Sequence, residues 1–180
     1  MSGHGLPMPM HSLELLCDPA GDETIRGQWQ ALRDAGLPSQ LDHQGSSNAP
    51  HLTVVAAPIL GEDALSVARV RLGNLIPIDG RTGGLLLLGG DHVTIARSVE
   101  LDDDAVRKVL AVRTHVPDRR HDGWLPHVTL VRRLPREDLA SALDVLHDHD
   151  EDAVAELRFT ALRYWNPDEQ ETTVLAGPGI

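Results

Sequence analysis

The stretch "NAPHLTVV", residues 48–55, reads as a strand of β-formers that opens on a proline and a histidine. The same wording returns as "WLPHVTLV" at residues 124–131, and a partial copy, "GDHVTIAR", stands between them at residues 90–97. Side chains two apart along a strand share a face. His51 therefore shares a face with Thr53, and His127 with Thr129. Two such strands facing each other across a cleft would bring two imidazoles and two hydroxyls into one volume.

The frame around each copy repeats as well. "PHLTVVAAPILGEDALS" and "PHVTLVRRLPREDLAS" each follow a helical pattern and a polar loop, and each runs on into a proline, a Glu-Asp pair and a further helical pattern. With 10 His and 9 Thr in 180 residues, chance alone gives about half an occurrence of His-x-Thr. Threonine favours strands and histidine is tolerated at their ends, but that preference does not generate a repeated strand-helix frame. The middle copy falls outside the repeat, because Asp91 rather than proline precedes His92. His92 is therefore read as a structural strand residue.

The remaining elements follow from periodicity. "HSLELLC" (11–17) reads as a first strand. "GDETIRGQWQALRDAGLP" (21–38) reads as a helix capped by Asp22, with Ile25, Trp29 and Leu32 inward and Gly36 and Pro38 ending it. Residues 61–74 predict a second helix with Leu65, Ala68 and Leu72 inward. Residues 75–100 predict two or three strands punctuated by glycines. Residues 102–113 predict a third helix with Val106, Val109 and Leu110 inward, and residues 135–147 a fourth. "ELRFTALRYW" and "ETTVLAG" predict a closing hairpin around Asn166-Pro167-Asp168. The two similar strand-helix units predict an α+β chain in which residues 1–180 form one pseudo-symmetric domain of two lobes.

Composition narrows the function. Apolar residues make up 41% of the chain, which suits a packed core, and the formal net charge of -11 disfavours binding of long nucleic acid by bulk charge. No apolar run approaches a membrane span, and no signal peptide is evident at the N-terminus. Cys17 is the single cysteine, which fits a reducing cytoplasm.

Imidazole suits proton transfer near neutral pH, and threonine hydroxyls donate to anionic oxygens. Two acid-base groups beside two such donors suit in-line displacement at a phosphodiester. One histidine takes a proton from the nucleophile; the other gives one to the leaving oxygen. No cofactor and no metal-ligand set is expected. His147 and His149 in "HDHDED" (147–152) read as part of a solvated acidic loop. Arg119 and Arg120 could reach substrate phosphates or stay in a solvated loop. Trp124 could stack on a base or cover the core. Tyr164 and Trp165 face the same choice, with core packing favoured.

"PHLTV" and "PHVTL" resemble the paired motifs of the two-histidine (2H) phosphoesterase superfamily, the 2′-5′ RNA ligase and cyclic phosphodiesterase group. The resemblance extends over most of the chain. It implies antiparallel sheets flanked by helices around a central cleft, with metal-independent chemistry on 2′,3′-cyclic or related phosphodiesters. It gives His51 and His127 the catalytic role and Thr53 and Thr129 the phosphate-binding role. Arg132 stands where that family often carries an arginine, although an unbent strand would turn it to the face opposite His127. By the same resemblance the strand of His92 would form the edge of the middle hairpin. The implied partner is a small cyclic-phosphate nucleotide or an RNA end, handled by a monomer. Two other classes compete: a non-catalytic nucleotide or RNA-end binding module of the same fold, and a metal-dependent hydrolase drawing on the ten histidines.

Overall fold

A computed structural model describes residues 8–149, 155–178 and 180. Among them the order is β1 (His11–Cys17), α1 (Pro19–Asp34), β2 (His51–Ala57), α2 (Glu62–Gly73), β3 (Ile78–Gly89), β4 (His92–Leu101), α3 (Asp103–Arg113), β5 (His127–Pro135), α4 (Leu139–His149), β6 (Glu156–Asn166) and β7 (Glu171–Ala176). Residues 75–100 hold two strands. The acidic stretch at 147–152 is the last turn of α4 as far as His149; residues 150–152 lie outside the described residues.

Two helices depart from the expected phase. The cap of α1 is Asp18, whose carboxylate accepts from the Gly21 N–H at 2.8 Å; Asp22 sits in the first turn and pairs with Arg26 at 2.6 Å. Pro19 explains the earlier start, since its missing N–H and fixed φ suit the first helical position. In α3 the buried stripe is Ala105, Val109 and Val112, while Leu110 is 43% exposed. The helix is turned so that Arg113 also faces the sheet, where its guanidinium donates to backbone carbonyls of Val54, His121 and Gly123.

All strand pairs are antiparallel, in the order β1-β2-β5-β4-β3-β6-β7, and β1 also pairs with β6, so the order closes on itself. β4 lies between β5 and β3 and is an interior strand, not an edge. Leu13, Leu15, Leu52, Val54, Val128 and Leu130 from the sheet join Ile25, Trp29, Leu32, Leu72, Val109 and Leu146 from the helices in the core. Burying one such large side chain stabilises by about 1.5–3 kcal/mol. The result is a mixed α/β fold, a large antiparallel sheet flanked by helices, whose opposite sheet face is left for other work.

Between β2 and β5 one register pair is formed, Leu52 with Val128. The carbonyls beside it are occupied by side chains. Thr53 O accepts from Trp124 Nε1 at 3.0 Å, Val54 O from Arg113 Nη1 at 2.9 Å, and Thr129 O from Trp29 Nε1 at 3.0 Å. Those carbonyls are satisfied without a neighbouring strand, so the ladder stops and the two strands need not run together further.

Candidate active site

Leu52 and Val128 are fully buried on the helix face. Alternation turns His51, Thr53, His127 and Thr129 to the other face, and all four are half-buried. In an antiparallel pair a step forward on one strand is a step back on the other. His51 therefore comes beside Thr129, and Thr53 beside His127. The two strands are neighbours in one sheet rather than opposite walls. Each outer motif residue has its partner on the adjacent strand.

The two imidazoles are held alike. His51 Nδ1 lies 2.8 Å from the Ala49 carbonyl and His127 Nδ1 lies 2.6 Å from the Leu125 carbonyl. A carbonyl can only accept, so Nδ1 carries the hydrogen in both rings. Each Nε2 is then an acceptor when the ring is neutral and a donor when it is charged. The proline before each histidine fixes an extended approach of the chain, and the carbonyl two residues back is what each ring meets.

Both motif strands carry a bulge at the same place. On β2, Leu13 opposes Val55 and Glu14 opposes Thr53, leaving Val54 as the extra residue. On β5, Ile95 opposes Val131 and Ala96 opposes Thr129, leaving Leu130 extra. Val54 with Val55, and Leu130 with Val131, are accordingly buried in succession. One extra residue reverses the alternation. Arg132 thus returns to the His127 face, contrary to the unbent-strand expectation, and its counterpart on β2 is Ala56.

The Arg132 guanidinium is crowded enough that desolvation pushes its pKa below the ordinary value; the carboxylate of Glu14 opposes this shift and the charge of Arg120 adds to it. Among the described residues neither Arg132 nor Arg120 has a hydrogen bond or ion pair on its side chain. Arg119 is different: its Nη1 donates to the Val116 carbonyl at 3.2 Å, which ties it into the loop. Two cations without partners thus stand near the motif pair in a chain of strongly negative net charge.

Glu14 is a residue that motif reading passed over. It is buried, lies opposite Thr53 on β1, and has Oε1 3.7 Å from His51 Nε2. Arg163 grips Oε2 with Nε at 2.9 Å and Nη2 at 2.6 Å, and Ser12 Oγ donates to Oε1 at 2.7 Å. Burial pushes its pKa up, but the charges of His51 and Arg163 and the hydrogen bonds of Ser12 and Arg163 outweigh it and hold the carboxyl below the usual range. The sequence signal was a glutamate set between two leucines of β1.

Other candidates fall away from this face or from reactivity. His92 is exposed at the hairpin end of β4, opposite Pro135. It lies four residues along the strand from Ala96, the neighbour of Thr129, which is about 13 Å. Burial, helped by Asp22 and Asp18, pushes the Cys17 thiol up to about 12, so it is no nucleophile at neutral pH. Trp124 spends its indole N–H on the Thr53 carbonyl and packs against the core. Among the described residues, the groove between α2 and α3 is lined by Ser66, Val67, Val70, Arg71, Asn74 and Lys108, none of which is an imidazole or a carboxylate. Among the described residues no three His, Cys, Asp or Glu side chains gather in a way that could hold a metal ion. No helix among them is long and apolar enough to cross a membrane.

No curated protein is detectably similar to the chain in sequence. Solved structures that resemble it in shape include the following two. One described as a phosphoesterase has 11% sequence identity and a TM-score of 0.48, covering 92% of this chain and 93% of that one. The other, the MHV ns2 PDE domain, has 15% identity and a TM-score of 0.46, covering 69% and 84%. The family model of the 2′-5′ RNA ligase superfamily matches residues 21–171, the span that holds both histidine motifs, α2, α3 and α4, and all of α1 but its first two residues. The chain belongs to the 2′-5′ RNA ligase superfamily and has its 2H-phosphoesterase-like fold.

Proposed function

We propose that this chain is a metal-independent phosphodiesterase, a single two-lobed domain acting as a monomer in the cytoplasm. It opens 2′,3′-cyclic or related phosphodiesters of nucleotides or RNA ends, and the reverse 2′-5′ ligation is open to the same chemistry. The observation that carries this reading is the matched pair of imidazoles. Both have Nδ1 tied to a carbonyl, Nε2 left for proton transfer, and a threonine from the neighbouring strand alongside.

In the forward reaction one Nε2 takes a proton from water while the water oxygen attacks phosphorus. The bond from phosphorus to one ribose oxygen breaks, and the second imidazolium returns a proton to that oxygen. Thr53, Thr129 and Arg132 hold the non-bridging oxygens as charge develops, with Arg120 placed to add to them. Glu14 makes the two halves unequal. Its carboxylate faces His51, while no carboxylate pairs with His127 among the described residues.

The test is hydrolysis of a 2′,3′-cyclic nucleotide by the wild-type protein, followed by product identification, with and without EDTA. Turnover to a monoester that survives EDTA is expected. Activity abolished by chelation and restored by zinc or manganese supports the metallo-hydrolase class instead. Tight nucleotide binding with no turnover supports the binding module.

A further inference from the structure

We infer that Trp165 is a stacking platform for the nucleobase of the substrate, so that the β1–β6 side of the site reads the nucleoside. This rests on the phosphodiesterase reading for the position of the phosphate, and it assigns what the rest of the ligand must be.

The chain has three tryptophans. Trp29 and Trp124 each donate their indole N–H to the carbonyl of a motif threonine, and both pack on the core. Trp165 does neither. It stands outside the core cluster, is half-buried, and its N–H makes no hydrogen bond among the described residues. Its neighbour Tyr164 takes the other direction, packing on the core with its hydroxyl 2.6 Å from His11 Nδ1. Alternation along β6 then puts Trp165 on the face of the motif histidines.

Register gives the same answer. Trp165 lies directly opposite Ser12 on β1 and opposite Thr172 on β7. Ser12 donates to Glu14, and Glu14 reaches toward His51. The path from indole to imidazole therefore runs through adjacent side chains on one surface. Arg163, two residues before Trp165 on the same face, is forked onto Glu14, which fixes this stretch of β6. On the far side of the motif pair the same face carries Ala96, Leu86 and Leu88, which are aliphatic. The aromatic surface is thus on one side of the phosphate position only.

Across β1, Trp165 is in register with Ala56, and Thr53 lies opposite Glu14, two β1 residues further along; Trp165 and Thr53 are thus about 12 Å apart, the scale of a sugar with a base attached. A half-buried indole flanked by Ser12 and Thr172 offers a flat apolar surface with polar edges. That matches a heteroaromatic base better than an alkyl chain. Stacking on it would be tolerant of base identity, because every base has a π face.

The experiment compares kcat/KM for adenosine 2′,3′-cyclic phosphate with that for ribose 2′,3′-cyclic phosphate, which lacks the base. Wild-type protein is expected to prefer the nucleoside by about tenfold or more. Trp165→Ala should bring the ratio close to one, and Trp165→Phe should restore most of it. A parallel titration without turnover uses adenosine 2′-monophosphate and ribose phosphate, read by tryptophan fluorescence in wild type and in Trp165→Phe. The nucleotide should quench the wild-type signal and ribose phosphate should not. Equal hydrolysis of both cyclic phosphates, or a preference that survives Trp165→Ala, overturns the stacking role and leaves the phosphodiesterase reading intact. Hydrolysis of neither, with nucleotide quenching that disappears in Trp165→Phe, keeps the platform and removes the phosphodiesterase.

Discussion

Leu52 of β2 sits directly opposite Val128 of β5, and each is the residue immediately after a motif histidine. The pair is therefore the point about which His51 and Thr53 exchange with His127 and Thr129. Both side chains are buried, so the pairing fixes by alternation which residues face away from the helices. A slip of one residue between β2 and β5 would turn one motif into the core.

The two indole donors that flank this pair predict a stability difference among tryptophans. Trp29→Phe and Trp124→Phe each leave a motif-strand carbonyl without its donor, at a cost of about 1–3 kcal/mol. Trp165→Phe removes no hydrogen bond and should stay within about 0.5 kcal/mol of wild type, as surface changes usually do. Urea melts of the three variants decide this. Equal melting midpoints would show that the indoles do not brace the motif strands.

Arg132 and Arg119 should differ in kind. Arg132→Ala removes a guanidinium without a partner from the phosphate side, and hydrogen bonds to charged groups are worth about 1.5–3 kcal/mol. A fall of roughly 10–150-fold in kcat/KM on a cyclic nucleotide follows, with the melting temperature near that of wild type. Arg119→Ala loses contacts within its own loop and should lower the melting temperature more than Arg132→Ala does. The reverse assignment in paired kinetics and melts would show that the bulge does not deliver Arg132 to the site.

Glu14 predicts acid sensitivity. Its carboxyl is held below the ordinary value of 4.5 in the folded protein, so it binds protons more weakly folded than unfolded. The stability it contributes is fully present above pH 4.5 and is lost as pH falls through the lower folded value. Replacing it with glutamine should flatten that part of the stability-pH curve. It should also lower stability at neutral pH by about 3–5 kcal/mol, because Arg163 is left as a buried charge without its partner. Chemical denaturation between pH 3 and 7 checks both. Parallel curves for wild type and Glu14→Gln would contradict the pairing.

The strand-helix frame was legible because period and punctuation state it directly, as in the two Pro-His-apolar-Thr strands and the stripe Leu65, Ala68, Leu72. What escaped was whatever depends on a neighbour in space. The bulges at Val54 and Leu130 exist only relative to a facing strand, and they decide where Arg132 points. The cap of α1 is Asp18 rather than Asp22, because the start of the helix depends on Pro19 one residue later. Leu110 read as core until Arg113 drew α3 round toward the sheet. Glu14 and Trp165 carry no motif, and their place on the histidine face follows from pairing with Thr53 and Ser12. Ion pairs such as Glu14 with Arg163 join residues distant in sequence, and pattern along the chain cannot show them.

The most direct test is turnover of a 2′,3′-cyclic nucleotide by three single variants, His51→Ala, His127→Ala and His92→Ala, each confirmed folded by thermal melting. A positioned proton-transfer group is worth about 10²–10⁴-fold in rate. His51→Ala and His127→Ala should each lose turnover on that order, while His92→Ala stays within a few-fold of wild type. An inactive His92→Ala beside an active His51→Ala or His127→Ala would contradict the account, since the site would then lie on a different pair of strands.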